Sequence, residues 1–202
     1  MVDRAAKTPD AIVELAERCV AHIKNRINFD LDYQNETLSV VDFFVREVLK
    51  DEGGGEALPP GDHRRAHLIH LLAPTIGAYF GEVLVRLFRC RWRVASGDPR
   101  EWLIEFENVP LRFNPAGAAA EALAEENVDS WFGALATAPE ETEALGERLA
   151  AAPPVPESEF FALTTRLEVL QIAEDWLRLR LAAQDPPGPE FYSPEDYDYI
   201  FK

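Results

Sequence analysis

The 202-residue sequence predicts an α+β fold: a mostly helical single domain around one buried central helix, with a small three-stranded antiparallel sheet. Three observations predict it. The stretch from Asp62 to Phe88 is apolar on almost every side after Ala66, so a helix there has to be buried. From Arg89 the apolar period changes from helical to two, over CRWRVAS, EWLIEFE and LRFNP. The segments before and after carry apolar residues at three-four spacing, and 47% hydrophobic content in a chain of this length suffices for the core of one domain.

Taken in order, Thr8, Pro9 and Asp10 form a helix entry with an N-cap, a proline at the first position and an acid in the first turn. The first helix is expected to run to about Asn25 with Ile12, Leu15, Ala16, Cys19, Val20 and Ile23 as its buried stripe. An extended piece follows, then a second amphipathic helix from Thr37 to Lys50 with Leu38, Val41, Phe44, Val45 and Val48 inward. DEGGGE ends it and opens a glycine-rich surface loop at residues 51–61. Asp30, Asp32, Glu36 and Asp42 lack calcium-loop spacing, so loop and cap roles are expected of them.

Asp62 is the expected N-cap of the central helix, whose charged residues make it a poor membrane span. Pro74 removes a backbone donor, while Gly77 and Gly81, four apart, let a backbone or an aromatic ring approach one face closely. Glu82 and Arg86 have the spacing of an i,i+4 pair, with a lone catalytic Glu82 as the alternative. In the strands, Trp92 and Val94 alternate with Arg91 and Arg93, and Trp102, Ile104 and Phe106 with Glu101, Leu103, Glu105 and Glu107. An arginine face is therefore expected to meet a glutamate face; the alternative is a basic patch for an acidic ligand.

Asn114 and Pro115 open an alanine-rich helix packed closely against another element. Residues 121–160 then hold ten acids against Arg148 alone, a net −9, with Trp131 and Phe132 among them. Pro153, Pro154 and Pro156 lead into a last helix from about Ser158 to Ala183, with Ser158 as cap and Leu163, Leu167, Leu170, Leu177 and Leu181 as its stripe. The tail packs Phe191, Tyr192, Tyr197, Tyr199 and Phe201 between acids, and so docks either on its own body or on something else. Residues 1–185 form the domain, including the acidic helical segment 121–160, and residues 186–202 the aromatic-acidic tail.

FDLDYQNETLSVVDFF at residues 29–44, IGAYFGEVLVR at 76–86 and LRFNPAGAAAEAL at 111–123 resemble a group of small bacterial proteins of uncharacterised function. The resemblance covers about two-thirds of the chain in packing and turn residues. It implies a single α+β domain and transfers no site.

Charge bounds the function. A net charge of −16 argues against nucleic acid or an anionic membrane as the main partner and favours a basic protein. Two distant cysteines in apolar surroundings, with no signal-type apolar run at the N-terminus, lead to a cytoplasmic expectation. His63, His67 and His70 fall at i, i+4 and i+7, which would present two or three nitrogens to zinc, but the glutamate of HExxH is missing. No nucleophile elbow, phosphate loop or dinucleotide fingerprint occurs. The expectation is a non-catalytic acidic binding protein, such as an immunity or antitoxin-like inhibitor, without cofactor or metal. Its expected contact residues are Trp131, Phe132, Glu140, Glu141, Glu143, Glu147, Tyr197 and Tyr199. The alternatives are a scaffold or regulatory subunit acting through the last helix and tail, and a metal-dependent enzyme using the three histidines; the last helix also leaves a homodimer seam open.

Overall fold

The structure is a computed structural model and describes residues 8–202; residues 1–7, whose composition entered the cytoplasmic expectation, lie outside the described residues. In chain order the elements are α1 (Asp10–Ile27), α2 (Leu38–Glu52), α3 (His63–Leu87), β1 (Cys90–Val94), β2 (Trp102–Phe106), β3 (Leu111–Phe113), α4 (Pro115–Ala124), β4 (Ala136–Thr137), α5 (Pro139–Ala150), α6 (Leu163–Ala182) and α7 (Pro194–Ile200).

The fold is α+β, but the expected three-stranded sheet is corrected to four antiparallel strands in the order β1-β2-β3-β4. The fourth strand places Thr137 opposite Leu111 and Ala136 opposite Arg112. Two residues cannot display an alternation, so pairing at the β3 edge creates this strand, helped by the Thr137 hydroxyl donating to the Pro110 carbonyl at 2.8 Å.

Helix α3 is the centre of the molecule and packs chiefly on α4 and α1. It is long and apolar enough to cross a membrane, yet most of its apolar window is buried within the fold. Asp62 caps it as expected, accepting from the Arg64 N–H at 2.9 Å. Hydrogen bonds from the Arg64 side chain and backbone hold the Asp62 carboxyl down at about 2, against an ordinary 3.8. A depressed carboxyl pKa adds stability above its ordinary value, and that contribution is lost as the pH falls through the folded one. Asp62→Ala should therefore lower the melting temperature at neutral pH, with the difference from wild type closing between about pH 4 and about pH 2.

The two α3 glycines sit where the chain allows no side chain. A Cβ on Gly77 would stand 2.4 Å from the Ala116 Cα, and one on Gly81 would stand 2.1 Å from the Trp92 ring. Glu82 does not serve as the helical partner of Arg86. Its Oε1 accepts from Thr8 Oγ1 at 3.0 Å and from Trp92 Nε1 at 2.9 Å, while the Arg86 guanidinium lies 3.8 Å over the Tyr33 ring. Thr8 is thus drawn away from capping α1, whose N-cap is Pro9.

Helix α6 starts later than expected, after a short 3₁₀ turn at Glu157–Glu159, and Ser158 is not its cap. Asp42 on α2 caps it from outside, accepting from the backbone N–H groups of Leu163 at 2.8 Å and Thr164 at 3.2 Å and from the Thr164 hydroxyl at 2.8 Å. Burial raises the Asp42 carboxyl pKa in spite of these donors, so the cap also carries a desolvation cost. On α6 the expected leucine stripe is buried throughout.

Candidate functional site

The acidic segment, 121–160, starts at the end of α4, pairs at the β4 edge and turns into α5 at Pro139. Proline at the first helical position and Glu140 and Glu141 in the first turn suit the positive end of the helix. Leu145, 4 % exposed, fixes which side faces the body, where α5 packs on α6. Glu140, Glu143 and Glu147 are exposed, as a solvated acidic face requires.

Glu141 does not belong to that face. It is buried, and its carboxylate accepts from Arg180 Nε of α6 and, at 3.5 Å, from Gln184 Nε2. It is a clamp between helices, placed inward because residue 141 shares the side of Leu145, one helical turn on. The expected contact role for Glu141 is therefore corrected.

Trp131 and Phe132 divide in the same way. Trp131 is 5 % exposed, 6.0 Å from the His70 ring between centroids, and its carbonyl accepts from Asn114 Nδ2 at 3.1 Å. Gly117 passes so near this loop that a Cβ would stand 2.4 Å from the Trp131 carbonyl oxygen. The next residue, Phe132, turns into the left-handed region at φ 47° and leaves its ring 71 % exposed. Trp131 is an anchor to the core, and Phe132 alone of the two projects.

The tail docks on its own body. Tyr197 is 1 % exposed; its hydroxyl accepts from the Leu111 N–H at 2.9 Å and lies 2.7 Å from the carbonyl oxygens of Phe106 and of Leu111. That position ties β2 to β3, so Tyr197 is unavailable to a partner. Tyr199, two residues on, is 78 % exposed.

His63, His67 and His70 are all exposed on α3, and among the described residues no cluster of three histidine, cysteine, aspartate or glutamate side chains has metal-binding geometry. The early acids serve as ties. Asp30 pairs with Lys24 at 2.6 Å, and Asp32 accepts from the Gln34 N–H at 3.0 Å. Burial pushes the Cys19 thiol up to about 12 and raises that of Cys90, which leaves both poor nucleophiles.

A cleft of about 730 Å³, which the sequence reading did not anticipate, lies beside the Asp42 cap and is lined by Val45, Arg46, Val155, Phe160 and Phe161. Its walls come from residues more than a hundred positions apart, so no local pattern announces it.

The arrangement of charge is decided by the arginines. Arg26, Arg64, Arg65, Arg89, Arg91, Arg93, Arg100, Arg166, Arg178 and Arg180 each pair with a carboxylate of the same chain. Among the described residues, none of Glu140, Glu143 and Glu147 has such a partner. Comparison of the chain with protein-family models, with curated proteins and with solved structures found no match.

Proposed function

We propose that the protein is a non-catalytic acidic binding protein, of the immunity or antitoxin-like inhibitor kind, whose outer α5 face receives a basic protein partner. The observation that carries the reading is the unpaired state of Glu140, Glu143 and Glu147 in a chain whose arginines are largely spent on internal pairs. Unpaired carboxylates on one helix face project a field that steers a basic surface towards it. Phe132, exposed seven residues before α5, supplies an apolar contact that prolongs the encounter. Such a partner would be met in the cytoplasm.

Changing Glu140, Glu143 and Glu147 together to Gln is expected to slow association about tenfold at low salt and to flatten its salt dependence, within the range that electrostatic steering spans. Dissociation and the melting temperature should stay near wild type. Glu141 is left intact because its loss would open the α5–α6 contact and confuse the result. Stopped-flow association with the basic protein recovered on the wild-type chain makes the measurement. An unchanged association rate at low salt refutes the reading.

A further inference from the structure

The outer face of the sheet carries an alternating set of charges, and the chain's own last segment covers it. Arg91 stands opposite Glu105, and Glu105 opposite Arg112. Residues 189–202 lie across this face. Arg93 bonds Asp198, and Arg91 Nη1 donates to the Tyr192 carbonyl at 2.9 Å. Arg89 and Arg112 lie 5.6 and 3.9 Å from the ring centroids of Phe191 and Phe201. The Tyr192 N–H donates to the Glu107 carbonyl at 2.8 Å, and the Tyr197 hydroxyl enters the β2–β3 connection. Main-chain bonding, an inserted aromatic and arginine–carboxylate pairing are the devices by which separate peptide chains are recognised.

Two further observations mark the segment as a ligand of the sheet. Its other short-range bonds are its own: Ser193 and Asp196 close a capping box that makes α7 a self-contained turn. The link from α6, residues 183–187, is exposed and holds no helix or strand.

We propose that the outer sheet face is a binding site for an acidic, tyrosine-centred peptide, that residues 189–202 fill it in cis, and that a second copy of the chain supplies the same segment by reciprocal exchange. The hydrogen bonds and ion pairs above run within the segment or from it to the sheet, so a copy's tail reproduces each of them. The exchange is then governed by concentration and by the reach of the link. Two copies at −16 repel each other, so salt promotes the exchanged dimer.

Two measurements on the full chain test this. In native-state hydrogen exchange, the Tyr197 and Phe201 amides are expected to open roughly 100-fold faster than those of Tyr79 and Phe80 on α3, as a unit that opens without global unfolding. Asp198→Asn should speed the first pair further and leave the second unchanged. For the exchange itself, a donor dye on Tyr199→Cys in one sample and an acceptor on Ala95→Cys in another report transfer between copies. Desolvation raises the pKa of both native thiols, so they react slowly and the dyes go to the introduced sites. Transfer should grow with protein concentration and with salt, and vanish on re-equilibration with excess unlabelled chain. Tail amides that exchange at the rate of α3 overturn the proposal. So does the absence of transfer between copies at every concentration while a chain carrying both dyes gives it.

Discussion

Glu105→Ala is expected to lower the unfolding free energy by about 3–5 kcal/mol, the usual result of removing one partner from a buried charge cluster. Glu105 is 1 % exposed and bridges two guanidinium groups, accepting from Arg91 Nη2 at 2.9 Å and from Arg93 Nη1 at 3.0 Å. Arg93 retains Asp198, but Arg91 keeps the Tyr192 carbonyl, the more distant Glu107 at 3.8 Å and the Tyr197 ring, 5.5 Å from its guanidinium carbon to the centroid. The cost comes chiefly from leaving Arg91 charged and desolvated, not from the attraction lost. For a chain of this length each kcal/mol moves the melting temperature by about 2–4 °C, so the variant should melt at least several degrees lower. Urea unfolding with an unchanged slope would place the loss in the native state. A midpoint equal to wild type would mean that the sheet face relaxes freely and that its ion cluster holds nothing together.

Gly77→Ala, a single added methyl, is expected to cost roughly 1–3 kcal/mol by overpacking. The new Cβ would meet the Ala116 Cα at 2.4 Å and its nitrogen at 2.6 Å. Those are backbone atoms of α4, a helix buried along its whole length from Pro115 to Ala124, so it cannot shift alone. At Gly81 the obstacle is the Trp92 ring, the end of a side chain held by one hydrogen bond to Glu82. That ring can give way more easily, so Gly81→Ala should cost less than Gly77→Ala. Thermal melts of the two variants compare them directly, and equal melting temperatures for Gly77→Ala and wild type would show that α3 and α4 are not in close contact.

The sequence by itself determined what depends on neighbours a few residues apart. The stripes of α1, α2 and α6 follow from three-four spacing, the Asp62 cap from its place before the apolar run, and the pairing of arginines with Glu105 from strict alternation in two adjacent strands. The close approach at Gly77 and Gly81 was legible because two glycines four apart leave one helix face bare.

Tertiary structure alone decided the rest. It made a strand of Ala136–Thr137 by offering the β3 edge, sent Asp42 to cap a helix more than a hundred residues on, and drew Thr8 to Glu82. Within the candidate contact surface it separated Glu141 from Glu140, Glu143 and Glu147, Trp131 from Phe132 and Tyr197 from Tyr199. Each separation turns on a distant partner: Arg180 for Glu141, Asn114 for Trp131, the β2–β3 connection for Tyr197. Periodicity fixes the side of an element on which a residue lies. Only packing between elements distant in sequence decides whether that side meets water or protein.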